Sequence, residues 1–342
     1  MIIQENVDLR PYNTFGIQAS SKYFTSLESA QDIDELLSLP SGKLKNHLIL
    51  GGGSNMLFTG NFEGLVARMA FKGIRLVDES SDYVTLYAGA GENWHGLVMH
   101  CVNNNYGGIE NLSLIPGTAG AAPMQNIGAY GVEIKDVITS VEAVNKHTGV
   151  SKTFSHAECA FGYRESIFKQ QAKDQYIITG ITLRLTRREH ALHLQYGAIQ
   201  ETLKSMSVAH PGISDVSRAV IHIRQTKLPD PAKVGNAGSF FKNPSITADA
   251  FNHLKEQYPQ IPSFPSTEGL VKVPAGWLIE QCGWKGKRLG DIGVHPHQAL
   301  VLVNYGGGEG SRIWDLAMQI RDSVIEKFNI SLQPEVNIVL PR

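Results

Sequence analysis

The run Ile115-Pro116-Gly117-Thr118-Ala119-Gly120-Ala121-Ala122-Pro123-Met124-Gln125-Asn126-Ile127-Gly128-Ala129-Tyr130-Gly131 decides how the rest of the chain reads. Small side chains dominate it, no residue in it is charged, and neither a helical nor a strand period organises it. Such a stretch cannot bury a core of its own, and long irregular segments inside compact domains are usually functional. Small residues let the main chain lie against a flat, extended ligand. Gln125 and Asn126 add amide groups suited to the edge of a heterocycle. A disordered linker is the competing reading, and the apolar flanks speak against it.

Upstream, Gly51-Gly52-Gly53-Ser54-Asn55 follows the apolar strand pattern His47–Leu50. Successive glycines let backbone N–H groups converge on an anion such as a pyrophosphate, with Ser54 and Asn55 as further donors. The dinucleotide-binding fingerprint is not met, because Met56 stands where its third glycine belongs and no long amphipathic helix follows. Alone, the loop reads equally well as a strand–turn–strand. Further strands are predicted at Leu65–Met69, Tyr83–Ala88, Val137–Val144 and Ile177–Leu185. Between them Trp94, Leu97, Val98, Cys101 and Val102 share one helical face within Glu92–Asn104. The first half is therefore strand-rich.

The second half is more helical. Helices are predicted over Ser214–Arg224, after a Thr247 cap, from Pro274 in the first turn to Gln281, and after a Ser311 cap. Strands are expected at Leu300–Val303 and Val336–Leu340. The fold class is α+β. Residues 1–220 form the first region (core about 17–188, two lobes dividing near 70), and 221–342 the second, whose last strand is a candidate to return to the first. The stiff connector Lys227-Leu228-Pro229-Asp230-Pro231 lies just beyond that division.

Composition removes several function classes. The chain has 342 residues, 42% of them hydrophobic, and a formal net charge of −1. A near-neutral protein lacks the basic field of a general nucleic-acid binder. No apolar run approaches the roughly 20 residues that span a bilayer. The N-terminus carries no secretory signal pattern, so a cytoplasmic location and no membrane insertion are expected. Cys101, Cys159 and Cys282 match neither a metal quartet nor a redox pair and read as reduced thiols. His295-Pro296-His297 lacks a nearby cysteine or carboxylate to complete a metal set, so no metal is expected.

The two glycine segments, with Asn13-Thr14-Phe15-Gly16, Phe161-Gly162-Tyr163-Arg164-Glu165-Ser166, Gly238-Ser239-Phe240-Phe241-Lys242-Asn243-Pro244 and Gln333-Pro334-Glu335-Val336, resemble the UDP-N-acetylenolpyruvoylglucosamine reductase family in order along the whole chain. Leu194-Gln195-Tyr196-Gly197 resembles the subtype with an extra tyrosine-bearing loop. The resemblance implies a two-lobed FAD-binding domain of the vanillyl-alcohol-oxidase (PCMH) type plus a C-terminal α+β substrate-binding domain. It implies non-covalent FAD on Gly51, Gly52, Gly53, Ser54, Asn55, Gly117, Thr118, Gly120, Ala121, Gln125, Asn126, Gly128 and Ala129. It also implies reduction of the enolpyruvyl group of UDP-N-acetylglucosamine enolpyruvate with NADPH, giving UDP-N-acetylmuramate; a monomer is expected. Another FAD oxidoreductase of this fold and a non-catalytic nucleotide-sugar binder are the rival readings.

The chemistry so implied must stabilise negative charge spreading into a carboxylate and must protonate carbon. By resemblance, Ser239 is the proton donor and Arg164 pairs the carboxylate, a role its planar, permanently charged fork suits. Glu335 is either protonated and shares its proton with the intermediate, or holds Arg164 or a water in place. Tyr130, Tyr196, Lys227, Asn243 and Gln298 resemble the positions that hold the uridine diphosphate part of the substrate.

Overall fold

The computed structural model describes residues 1–40, 46–196, 198–266 and 269–341. The apolar stretch His47–Leu50 forms a strand that pairs in parallel with Phe62–Met69, from His47 opposite Leu65 to Leu50 opposite Arg68. These strands belong to a four-stranded sheet ordered Gln4–Asp8, Ser20–Leu27, Phe62–Met69, His47–Leu50. The helix Ala30–Leu37 is started by a capping box between Ser29 and Asp32 and buries Ile33 and Leu36. A second, five-stranded sheet is antiparallel throughout, ordered Ser151–Ser155, Ile138–Asn145, Tyr176–Thr186, Tyr83–Gly89, Ile74–Glu79. Val141, Ile181, Leu183 and Leu86 share a core with Trp94, Leu97, Val98 and Cys101 of the helix Trp94–Asn103. Burying each Leu, Ile or Val of that face stabilises by about 1.5–3 kcal/mol. Asn93 caps this helix by accepting from the Gly96 N–H at 2.8 Å.

Several predicted boundaries move. The helix expected over 214–224 runs Ile213–Lys227, so Lys227 is its last residue and not the start of the connector. Pro274 is the N-cap of Ala275–Gln281, one position before the first turn. The last helix, Gly310–Phe328, starts from Glu309 rather than Ser311. There Gly310 lies so close to Phe58 that an added Cβ would stand 1.8 Å from the Phe58 carbonyl oxygen. Thr247 does cap Ala248–Gln257, accepting from the Ala250 N–H. The segment 111–131 is less irregular than its composition suggests. It contains the 3₁₀ turns Ala119–Ala121 and Pro123–Gln125 and the short strand Gly128–Ala129, which pairs with Val132–Glu133.

Helices are interspersed among strands that pair mostly antiparallel, with no repeating βαβ unit along the chain, which makes the architecture α+β. Two compact units share the chain. One comprises Met1–Asn6, Lys22–Gly52 and Gly64–Thr226. The other comprises Val7–Ser21, Gly53–Glu63 and Lys227–Arg342, of which Arg342 is not described. In the second unit, Asn337–Val339 pairs in parallel with Met56–Phe58. No helix among the described residues is long and apolar enough to cross a membrane.

Candidate active site

In the first unit the two glycine segments meet. A Cβ on Gly52 would stand 2.8 Å from the Gly117 Cα, and one on Gly51 2.9 Å from the Thr118 Oγ1. Glycine at 51 and 52 is therefore demanded by the second segment's approach. The second segment is in turn stitched to the helix Trp94–Asn103 and its approach: Trp94 N–H donates to Gly117 O at 3.1 Å, and Ala119 and Gly120 N–H donate to Glu92 O and Ala90 O at 2.8 and 2.9 Å. A Cβ on Gly120 would meet the Ala90 Cβ at 2.4 Å. The Thr118 hydroxyl is enclosed here without a hydrogen-bond partner among the described residues. An orphaned buried donor between two bare backbone segments fits a polar, flat ligand such as FAD.

The same unit ties the Phe161–Ser166 motif to that segment. Arg164 has a left-handed backbone (φ +55°) and donates from Nη2 to Gly128 O at 2.8 Å. Glycine at 128 leaves room for it, since a Cβ there would lie 3.2 Å from Arg164 Nη1. The Ser166 Oγ donates to Met124 O at 2.6 Å. Asn126 is wholly buried and committed inside the chain. Its Nδ2 donates to Glu133 Oε2 and Gly162 O, each at 2.9 Å, and its Oδ1 accepts from Lys135 N–H at 3.1 Å. One amide hydrogen of Asn126 thus holds Arg164's loop and the other holds Glu133.

Tyr130 and Tyr196 come together edge to face, with ring centroids 6.3 Å apart at 90°. Gly197, the last residue of that motif, lies outside the described residues. Beside Tyr130 stands Arg224, whose Nε donates to Leu114 O at 3.2 Å. Burial pushes the Arg224 guanidinium down and the Tyr130 phenol up from their ordinary pKa values, and each partly offsets the other's shift. No carboxylate pairs with Arg224 among the described residues. His95 accepts the Leu114 N–H at its Nδ1, 3.0 Å away, and burial lowers its pKa. Arg224 and His95 escaped sequence reading, since neither stands in a recognisable motif and only the fold makes them neighbours of Tyr130 and Leu114.

The second unit joins Ser239 and Glu335. Phe240 N–H donates to Leu300 O, and Phe240 O accepts from Glu335 N–H, both at 2.8 Å. Ser239 bridges Val301, and Phe241 bridges Pro334. Phe240 and Phe241 are fully buried and pin this backbone, leaving Ser239 exposed. The turn before Ser239 is set by Gly238 (φ +70°) and by Asn236, whose Oδ1 accepts the Gly238 N–H at 3.0 Å. From the first glycine segment, Asn55 Nδ2 donates to Glu335 O at 3.1 Å. Gly53 is held at φ +60°, where its Cβ would collide with Tyr12 O. Half-buried Ser54 lies between them.

Asn243 and Gln298 line an open pocket of about 300 Å³ with Trp277, Glu280, Lys285 and His297. The Asn243 Oδ1 also accepts the Ala275 N–H at 2.9 Å, at the start of the helix Ala275–Gln281. Lys227 is exposed and does not line this pocket. Arg164, Tyr130 and Tyr196 thus belong to one unit, and Ser239, Glu335, Asn243 and Gln298 to the other.

Residues 21–154 match the model of an FAD binding domain, and residues 230–339 match the C-terminal domain of UDP-N-acetylenolpyruvoylglucosamine reductase. The chain is 48% identical over 339 residues to the UDP-N-acetylenolpyruvoylglucosamine reductase of Flavobacterium johnsoniae, covering 99% of this chain and 100% of that protein. It is 50% identical over 339 residues to the enzyme of the same name from Amoebophilus asiaticus, with the same coverage. A crystal structure of the Thermus caldophilus reductase shares the fold, with a TM-score of 0.66 at 22% identity, over 98% of this chain and 99% of that one.

Proposed function

The chain belongs to the UDP-N-acetylenolpyruvoylglucosamine reductase family, the FAD-dependent UDP-N-acetylmuramate dehydrogenases of peptidoglycan precursor synthesis, and on that premise we propose how its own residues share the reaction. Gly51, Gly52, Gly53, Ser54 and Asn55 with Gly117, Thr118, Gly120, Ala121, Gln125, Asn126, Gly128 and Ala129 hold FAD, the Asn126 side chain bracing the loop from within. When bound, FAD supplies the hydride added to the terminal carbon of the enolpyruvyl group, with NADPH as its source.

Ser239 delivers the proton to the adjacent carbon. Its hydroxyl is a weak acid, but the carbanionic centre it meets is a strong base, so the transfer is downhill. Arg164 pairs both oxygens of the substrate carboxylate, where charge grows during the reaction, and a donor preorganised on growing charge is worth ~10²–10³ in turnover. Glu335 acts in its protonated form, since an anion beside that charge would oppose the reaction. Tyr130, Tyr196, Lys227, Asn243 and Gln298 take the uridine diphosphate. Lys227 meets it as a point charge, and the pocket bearing Asn243 and Gln298 supplies hydrogen bonds. Residues 1–220 then serve FAD and lend Arg164, Tyr130 and Tyr196 to the substrate that residues 221–342 otherwise bind, in a cytoplasmic monomer that binds no nucleic acid.

One observation supports this reading above the others: the Glu335 N–H bond to Phe240 O, which brings the two catalytic motifs of the second unit onto neighbouring backbone. The test is the visible spectrum of the purified protein. Yellow protein that bleaches with NADPH under anaerobic conditions and regains colour on adding the UDP-substrate supports the assignment. Recovery only on admitting oxygen refutes it.

A further inference from the structure

The tyrosine pair is fastened by a residue that no motif singles out. Asn111 lies in the 3₁₀ turn Glu110–Leu112 and has no exposed surface. Its Nδ2 donates to Tyr130 O and to His193 O, each at 2.9 Å. Those carbonyls belong to the two segments that carry the aromatic pair. A primary amide suits the place because one short side chain offers two hydrogens on one nitrogen. Without it, both carbonyls would be left unsatisfied beside each other.

The surroundings make His193 a polar clip between apolar anchors. Leu192, Leu194 and Tyr130 pack on the cluster of Ile199, Leu203, Val216, Ala219, Val220 and Ile223. Residues 188–196 have no regular secondary structure, so hydrogen bonds from outside the segment fix their path. Tyr196, at 52% exposure, gains little hold from burial of its own.

We propose that Asn111 is a positioning residue that locks the tyrosine-bearing segment to the Ile115–Gly131 loop and thereby sets where Tyr196 meets the diphosphate of the UDP-substrate. The inference rests on the assignment of Tyr196 to that substrate. Asn111→Asp is the sharpest probe, because it replaces two donors by acceptors facing two carbonyls. Asn111→Ser retains one donor and guards against a variant that fails to fold.

Both variants are made in the full-length, FAD-loaded chain, alone and combined with Tyr196→Ala. Steady-state constants are measured together with hydrogen–deuterium exchange over 189–196. Losing two such bonds is expected to raise KM for the UDP-substrate by roughly tenfold with turnover nearly unchanged. Exchange over 189–196 should quicken, Asn111→Ser should fall between wild type and Asn111→Asp, and the KM effect should vanish in the Tyr196→Ala background. A KM rise that persists undiminished in that background overturns the inference, as does unchanged exchange in a folded Asn111→Asp. An unchanged KM in Tyr196→Ala alone removes the premise instead, and that result is read without any Asn111 variant.

Discussion

Thr118→Val should act with opposite sign on the empty and the FAD-loaded protein. The Thr118 hydroxyl is enclosed against Gly51 and has no partner among the described residues. Enclosing such a group unpaired costs about 1–3 kcal/mol in the FAD-free state. Valine keeps the shape and removes the group, so the apoprotein should melt higher, by roughly 2 °C for a chain of this size. If the hydroxyl is spent on FAD, the loaded protein loses a hydrogen bond of about 0.5–1.5 kcal/mol, a two- to thirteenfold weaker FAD affinity. The assay pairs thermal melts of FAD-stripped protein with titration of its FAD site by quenching of flavin fluorescence. Gly212→Ala is the control, because a Cβ there meets only an ordinary contact, 3.8 Å from Asp215 Oδ2. An apoprotein destabilised by Thr118→Val, with FAD affinity untouched, would refute the reasoning.

Ser239→Ala should leave flavin reduction by NADPH nearly normal and slow the reaction with the UDP-substrate by ~10²–10⁴, as stopped-flow separation of the two half-reactions would read; equal damage to both removes the proton-donor role. Glu335→Gln should keep far more turnover than Glu335→Ala, because glutamine still donates a hydrogen bond where the protonated acid would; equal loss in both variants speaks against a protonated Glu335. For His95 the sign follows from a folded pKa below the unfolded one: below about pH 6.5 the unfolded chain binds more protons, so its contribution to stability is present above that pH and lost on acidification. Protonating Nδ1 also breaks the bond from Leu114 N–H, so His95→Asn should flatten the fall in melting temperature between pH 7 and 5.5.

What the sequence made legible was whatever depends on local period or on an unusual run of residues. The helix Trp94–Asn103 announced its buried face through the spacing of Trp94, Leu97, Val98, Cys101 and Val102, and burial pushes the Cys101 thiol up to about 12, in keeping with a packing role. The glycines at 51 and 52 were legible as special, yet the reason visible in the structure is the approach of Gly117 and Thr118, which no local pattern encodes. Asn126 was legible as an amide placed for a purpose, yet its bonds to Glu133, Gly162 and Lys135 are tertiary and no local pattern encodes them. Asn111, Arg224 and Asn236 were silent for the same reason. Each matters through a tertiary neighbour, and a lone Asn or Arg carries no signal of which neighbour it will have.

The split assignment of Val7–Ser21 and Gly53–Glu63 constrains how this protein can be cut or rearranged. Met56–Phe58 serves as the pairing template for Asn337–Val339, so a fragment beginning at 227 would expose one edge of its terminal strand. A fragment ending at 226 would carry orphaned pieces of the other unit in its N-terminal third. Truncation, domain exchange with a relative or ribosome-bound folding therefore faces an interlaced chain, whose C-terminal unit completes itself only with segments synthesised near the start.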